Sequence, residues 1–268
     1  MMHGRPWDLM LIHWFRIPYF LIDRMITMKR QIVFIFFLVG LILTSCNSNN
    51  RSEDKDQFRR YCFALKGELE ENLDFPEDLR MNVFRNDSMI FIIIDAGAGM
   101  DLAALKQNID KSFTSDDENM PALLRKIVSG EIIPLERIYE LEQEKVYSPE
   151  EGQLKESPGM EYQRTVMSME LHPYPASIKK YIEIHGIGQA WPEITAGIKE
   201  TGNLDMEIYI QGTLTFLIAD RDEAYKPEKG ERHTTGLSWD KEWQEYVSQF
   251  QKTDPATGEK WVPMDKIY

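Results

Sequence analysis

The segment from Phe91 to Gln107 joins an apolar run to a glycine-containing turn, an arrangement that can hold phosphate groups. The run Ile92–Ile94 leads into a turn that contains Gly97 and Gly99, and an amphipathic pattern follows. Backbone N–H groups at the start of a helix bind phosphate when glycines let the ligand approach closely. The Gly-x-Gly-x-x-Gly pattern of dinucleotide sites is incomplete, because Leu102 stands where the third glycine is needed. We therefore predict no phosphate or nucleotide site here.

Histidines suited to acid–base or metal chemistry are scattered along the chain. His172, His185 and His233 do not show the His-x-x-x-His spacing of a metal site. His172 and His185 fall at the ends of predicted elements, where a surface histidine is the usual case. The chain also lacks the Gly-x-Ser-x-Gly motif of a nucleophilic serine. We assign no catalytic, cofactor or metal residue, and keep a hydrolase with dispersed acidic or histidine residues as an alternative.

Two further candidates have simple structural explanations. The acidic run Asp220–Glu223 could chelate calcium, but it lacks the Asp-x-Asp-x-Asp-Gly order of a calcium loop. Cys62 falls on the apolar face of a predicted helix, which favours a small buried side chain over a reactive thiol. We expect neither to form a functional site.

The chain of 268 residues is acidic, with a formal net charge of −13. Negative charge repels the phosphate backbone, so nucleic acid is an unfavourable partner. Apolar and charged fractions are those of a globular protein, and the length suffices for one large domain or two small ones.

Residues 28–46 have the three parts of a secretory signal. Lys29 and Arg30 form a basic start, the apolar run Ile32–Leu43 follows, and Thr44 begins a short group of small residues. The apolar run is shorter than the roughly 20 residues that span a bilayer. The pattern therefore indicates export rather than a membrane-spanning helix.

The four residues Leu43–Cys46 are an aliphatic residue, two small residues and a cysteine. They resemble the lipobox of bacterial lipoprotein precursors, and the resemblance covers residues 28–46 alone. It implies that the chain is cut between Ser45 and Cys46, and that Cys46 carries the lipid.

This resemblance divides the chain into a leader, a tether and a body. Residues 1–27 would precede the true start, 28–45 would be the signal peptide, 46–57 a flexible acidic tether, and 58–268 the globular region. Several acyl chains hold a protein on a membrane without spanning it. We expect the cell envelope, specifically the outer membrane, with its periplasmic and surface faces both open. Beyond the inner membrane there is no ATP or NAD pool, so this location also counts against a nucleotide site.

Periodicity predicts the elements of the globular region. An amphipathic helix is expected over 54–72, and a hairpin over 81–95. Three further helical patterns follow, around Leu105, around Leu124 with an Asn119 cap and a Gly130 end, and after Pro134. Residues 148–160 contain two prolines and two glycines without periodicity, so they are predicted to be a linker or loop and a possible subdomain boundary.

The second part of the chain predicts a strand over 163–171, a helix over 177–184 and a second hairpin over 204–220. A last helical face and a tail that packs back on the body follow. Residues 79–95 and 204–220 align without a gap and share five identities. Either the unit is duplicated, or two half-buried hairpins share a composition; the unmatched flanks favour the second. Both interpretations predict an α+β fold, with two antiparallel hairpins and a further strand packed with several amphipathic helices.

These features favour a lipid-anchored, non-catalytic binding or accessory module for an envelope protein or a glycan. The tryptophans Trp191, Trp239, Trp243 and Trp261 are candidate anchors, although core packing is their more common role. The hydrolase stays open as an alternative, as does a lipoprotein inhibitor or immunity factor that acts through its acidic surface. The membrane, through the lipid, is the other expected partner, and no cofactor is expected.

Overall fold

The computed structural model describes residues 57–67, 75, 79–87, 89–113, 120–142, 144–226 and 238–268, with no side chains for 238–240. These residues form two antiparallel five-stranded sheets and five helices, which confirms the α+β prediction. Within those ranges, none of the helices has the length and apolar character that crossing a bilayer requires.

The elements alternate between strands and helices along the chain. The strands are β1 Gln57–Lys66, β2 Arg80–Asn86, β3 Met89–Gly97, β4 Glu136–Glu140, β5 Gln153–Glu156, β6 Tyr162–Glu170, β7 Asn203–Gln211, β8 Leu214–Asp222, β9 Val262–Pro263 and β10 Asp265–Lys266. The helices are α1 Leu102–Ser112, α2 Ala122–Ser129, α3 Pro175–His185, α4 Pro192–Glu200 and α5 Ser238–Ser248.

The two sheets pack face to face, and helices cover their outer faces. Side chains of both sheets share one buried cluster, in which the rings of Phe91 on β3 and Phe216 on β8 stack with centroids 4.6 Å apart. Helices α1 and α2 bury Leu105, Ile109 and neighbouring side chains against the first sheet. Helices α3, α4 and α5 pack on the second sheet. The chain therefore has a helix, sheet, sheet, helix order of layers.

Each sheet takes an edge strand from the other half of the chain. The first sheet has the order β10-β2-β3-β1-β5, and the second has the order β4-β7-β8-β6-β9. Strand β4 therefore leaves the first half and pairs with β7, while β10, at the end of the chain, pairs with β2. This exchange covers two edges that would otherwise expose unpaired backbone groups. It also places first-half residues beside the second helix layer.

The two aligned hairpins occupy equivalent places, because β2–β3 and β7–β8 hold the same positions in their sheets. Arg60 lies opposite Asp95 in the first sheet and pairs with it through two hydrogen bonds, of 2.8 and 3.0 Å. Arg164 lies opposite Asp220 in the second sheet and does the same at 2.7 and 2.6 Å. Shared composition of the aligned segments does not account for the matching arginines, which lie on β1 and β6, outside those segments. The structure thus favours the duplicated unit.

Two helix predictions are wrong. Residues 57–66 form β1, because this strand lies between β3 and β5 and is buried on both faces, so its apolar residues do not alternate. Residues after Pro134 form β4, since pairing with β7 outweighs the local helical spacing. Strand β5 also lies inside the segment predicted to be a linker or loop, and pairs with β1. Whether residues 148–160 mark a domain boundary stays a prediction.

The other described elements agree with their predictions. Both hairpins, the strand β6 and the helices α1, α2, α3 and α5 form where the periodicity placed them, and Gly130 ends α2 in the left-handed region at φ 81°. The tail packs back on the body through β9. The Asn119 cap, the leader and the tether before residue 57 lie outside the described residues.

Candidate functional site

A cavity of about 200 Å³ lies between the second sheet and the helices α3, α4 and α5. Its polar lining comes from Tyr139, Tyr181, His185, Gln244 and Gln251. Its apolar lining includes Trp243, Trp261 and the side chains of Met206, Ile208 and Leu217 on the sheet. Of the described residues that line it, none is Asp, Glu, Lys or Arg. The cavity is therefore suited to a small neutral ligand that forms hydrogen bonds.

Helix α3 supplies the central pair of this cavity. Pro175 occupies its first turn, where a missing N–H costs nothing, and Gly186 follows its last residue. Tyr181 and His185 are four residues apart, so they lie on the same face of the helix. Both are buried, with exposed fractions of 0% and 6%, and their ring centroids lie 4.2 Å apart. The helix thereby holds an imidazole and a phenol side by side.

The imidazole of His185 is held in one neutral tautomer. Its Nδ1 lies 2.8 Å from the carbonyl oxygen of Tyr181, and since a carbonyl only accepts, Nδ1 carries the proton. Nε2 is left with a free lone pair. Burial lowers the pKa of His185 to about 4, although the bond to the Tyr181 carbonyl opposes this shift. Near neutral pH, His185 is an uncharged base.

Two phenol groups supply unused hydrogen-bonding capacity at the cavity. The hydroxyls of Tyr139 and Tyr181 are buried, and none of the residues described in the structure bonds to them with ordinary hydrogen-bond geometry. Burial raises the pKa of both groups; Thr195 beside Tyr139 and Gln251 beside Tyr181 partly offset the rise. Both phenols therefore stay protonated at neutral pH, and each can donate a hydrogen bond to a ligand.

Aromatic rings surround the His185 imidazole. The Trp243 ring meets the imidazole edge-on, with centroids 5.6 Å apart, and Trp191 in turn packs against Trp243 at 5.3 Å. Trp261, from the tail, completes the lining. Such rings offer flat apolar faces to the C–H groups of a ligand and fix its position. Thus three of the four tryptophans considered as anchors lie in or beside the cavity; the side chain of Trp239 is outside the described residues.

A second cluster of ionisable side chains lies between the sheets, with Lys155 and Glu207 buried and Glu140 and Asp205 partly buried. The Lys155 ammonium lies 2.7 Å from Glu140, 2.5 Å from Asp205 and 3.1 Å from Glu207. Arg60 binds Glu207 from another side at 2.5 Å. These three carboxylates are close enough together to hold a metal ion, but the ammonium already binds all three. The cluster is therefore an internal ion-pair network.

The pKa shifts agree with that interpretation. Burial would raise the pKa of Glu207, but Lys155, Arg60 and Arg137 outweigh burial and lower it. The pKa of Asp205 is raised by burial and by the charge of Glu207. A larger open cavity of about 590 Å³ adjoins this network. On its wall, Lys155 binds Asp205, and both Lys155 and Arg60 bind Glu207. These charges hold the two halves together.

The remaining sequence candidates are not brought together. Cys62 lies in the core between the sheets, where burial raises the pKa of its thiol well above the ordinary value, against a reactive role. Asp220 is occupied by Arg164, and Asp222 accepts a hydrogen bond from the backbone of Ala224. His172 is partly exposed outside the cavity. Ser45, Cys46 and His233 lie outside the described residues.

The sequence interpretation missed His185, which it assigned to the surface. The available signal was the four-residue spacing from Tyr181 on a predicted helix, followed by Trp191. The position at a helix end suggested an exposed side chain. In the structure, the chain continues into α4 and α5, which cover the imidazole. Tyr139 carried no signal, since its strand was taken for a helix.

Comparisons with known proteins point to one kind of chemistry. The family model described as L-rhamnose mutarotase matches residues 164–268, less than half of the chain. A protein of Xanthomonas campestris pv. campestris named L-fucose mutarotase is 29% identical over 111 residues, which are 41% of this chain and 89% of that protein. The segment matched by the family model contains α3, α4 and α5, and so most of the cavity that contains His185.

These findings correct the predicted function. The prediction of a non-catalytic binding or accessory module is wrong, because both comparisons are to mutarotases, which are enzymes. The predicted location at the outer membrane is contradicted too. It was expected for an accessory module of the envelope, whereas the matched proteins are sugar mutarotases. The lipobox resemblance of residues 28–46 is a separate observation. It stays a prediction.

Proposed function

We propose that this chain is a sugar mutarotase that interconverts the α and β anomers of an L-sugar resembling rhamnose or fucose. The observation that supports this most directly is the buried, uncharged His185, with a free Nε2 in a cavity without charged lining residues. The match to mutarotases covers the helices that build this cavity. The substrate class follows from the names of the matched proteins and from the neutral lining.

Anomer interconversion requires two proton transfers and no cofactor. In the proposed reaction, Nε2 of His185 takes the proton of the anomeric hydroxyl while the bond between C1 and the ring oxygen breaks. The ring oxygen receives a proton from the adjacent Tyr181 hydroxyl, giving the open-chain aldehyde. Rotation about the bond between C1 and C2 presents the other face of the carbonyl. The same two transfers then run in reverse and restore both side chains.

The environment of the pair suits this exchange. After ring opening, an imidazolium and a phenolate would adjoin, and their attraction compensates for the raised pKa of Tyr181. The low pKa of His185 makes its imidazolium a strong acid that returns the proton readily. The buried walls exclude water, and the Trp243 ring can pack on the apolar side of the sugar.

The direct test is the rate at which anomers equilibrate. Freshly dissolved α-L-rhamnose or α-L-fucose is followed by polarimetry, and exchange at equilibrium by NMR magnetisation transfer between the two anomeric protons. We expect exchange to quicken in proportion to protein concentration. If neither sugar, nor a panel of other aldoses, exchanges faster than in buffer, the proposed function is wrong.

The pH dependence of the reaction follows from His185. Because burial lowers its pKa to about 4, we expect kcat/KM to stay level from about pH 8 to about pH 5. It should fall below that, as protonation of Nε2 removes the base. A profile that already declines near pH 6.5, the ordinary pKa of histidine, would contradict a buried neutral base.

The stability of the fold should also depend on pH through His185. The pKa of histidine is about 6.5 in the unfolded chain and about 4 here, so between these values the unfolded state binds more protons. The contribution of His185 is therefore present above pH 6.5 and lost as pH falls toward 4, by about 3 kcal/mol in total. Urea unfolding at several pH values measures it, and a His185→Asn variant should lack this part of the dependence.

A further inference from the structure

Tyr139 reaches the cavity that contains His185 from the first half of the chain. It lies on β4, before the segment 164–268 that matches the mutarotase family model. Strand β4 forms the edge of the second sheet, and Tyr139 is the pairing partner of Ile208, which also lines the cavity. The Tyr139 ring meets the His185 imidazole edge-on, with centroids 6.2 Å apart. A residue outside the matched segment therefore forms part of the wall.

An irregularity in the strand turns this side chain toward the cavity. Arg137 pairs with Tyr209 and Tyr139 pairs with Ile208, so two steps along β4 correspond to one step along β7. Arg137 faces the ion-pair network between the sheets, where it meets Glu207. In a regular strand, Tyr139 would share that face, because side chains alternate. The bulge at Ile138 instead places Tyr139 on the helix side, and bulges commonly re-aim a side chain beside an active site.

The hydroxyl of Tyr139 has unused hydrogen-bonding capacity where it now lies. The residue is 6% exposed, and among the described residues no group bonds to its oxygen with ordinary hydrogen-bond geometry, although the Thr195 side chain lies beside it. A buried hydroxyl without a partner destabilises a fold, and most such groups find one. A phenylalanine would fill the same space without that cost. The tyrosine is thus explained if the partner is the ligand.

We propose that the Tyr139 hydroxyl binds one ring hydroxyl of the sugar, so that the first half of the chain completes the site and helps to set its specificity. This inference rests on the proposed function. The matched segment supplies the proton-transfer pair, His185 and Tyr181, and the exchanged strand supplies a binding group. Since a phenol both donates and accepts, it favours a sugar with a hydroxyl at that position over the deoxy analogue.

The test combines Tyr139→Phe with a panel of monodeoxy sugars. For the parent sugar, Tyr139→Phe should lower kcat/KM roughly tenfold, the loss expected for one hydrogen bond to a neutral group. One deoxy sugar, lacking the contacted hydroxyl, should be turned over equally well by the variant and the wild type. Every other deoxy sugar should show the full loss. A merely structural role of Tyr139 would lower the rates of all sugars alike.

Tyr246→Phe is the matched control. It also removes one phenolic hydroxyl on the helix side of the second sheet, but Tyr246 does not line the cavity. Its kcat/KM should equal that of the wild type for every sugar. Thermal unfolding of both variants shows whether either one loses stability.

The outcomes separate the two proposals. If the wild type is active, two results overturn the inference about Tyr139 while the mutarotase function stands. Either Tyr139→Phe keeps the wild-type kcat/KM for all sugars, or it lowers kcat/KM equally for all of them. If wild type is inactive on every aldose, the proposed function fails first. Sugar binding measured by NMR on wild type and Tyr139→Phe then decides the inference, because equal affinities overturn it and weaker binding by the variant supports it.

Discussion

The His185→Asn variant is expected to lose mutarotation by about 10²- to 10⁴-fold in kcat, the usual contribution of one general base. Asparagine keeps an N–H that can donate to the Tyr181 carbonyl, as Nδ1 does at 2.8 Å in the wild type. It has no group that can take a proton at neutral pH. The variant therefore removes the base and keeps the donor. NMR exchange between anomeric protons measures the remaining rate directly.

His172→Asn is the matched control for this experiment. His172 is partly exposed, follows β6 and does not line the cavity, so the variant should keep wild-type activity. KM of the active variants and sugar affinity of His185→Asn complete the comparison. If His185→Asn binds sugar as wild type does and still exchanges anomers at the wild-type rate, His185 is not the base. Loss of activity in both variants would point to a general effect on folding.

The largest effect on stability is expected from Arg60→Met. Arg60 is 1% exposed and binds both Asp95 and Glu207. Its loss leaves the buried Glu207 carboxylate with less compensating positive charge. Removing one partner from a buried ion pair typically costs about 3–5 kcal/mol. Methionine has a similar length and fills the space, so the loss reflects charge more than volume. Urea unfolding, with unchanged m-value, measures the free energy of unfolding.

Lys126→Met provides the comparison at the surface. Lys126 pairs with Glu131 at 2.8 Å, but the two side chains are 41% and 61% exposed. Such pairs contribute about 0–1 kcal/mol, so this variant should unfold near the wild-type midpoint. Equal losses in the two variants would show that the network between the sheets adds no more stability than a surface pair.

Local sequence determined most of the elements around the site. The alternation in β7, the turn at Gly212 and the apolar face of α3 all depend on neighbours within a few residues, so periodicity located them. The alignment of 79–95 with 204–220 also held real information. The structure adds that Arg60 and Arg164, which lie outside the aligned segments, form equivalent ion pairs, and this favours the duplicated unit.

Long-range pairing determined the rest. Strand β1 had the spacing of a helix, and only its position between β3 and β5 explains why both its faces are apolar. Cys62 was predicted to be buried, and it is, but in a strand between two sheets instead of on a helix. Its environment includes Glu207, which is 145 residues away in the sequence, so no local pattern could indicate it.

The sequence by itself determined the α+β class, both hairpins and most of the helices, because these depend on local periodicity and turn residues. It also carries the lipobox resemblance at Cys46, which stays a prediction. Only the tertiary structure decided the character of His185: burial by three helices removes its charge, and a surface histidine of the same type would titrate normally. Likewise, a strand exchanged between halves and a bulge at Ile138 bring Tyr139 to that imidazole. Both depend on contacts between segments far apart in the chain, which no local pattern records.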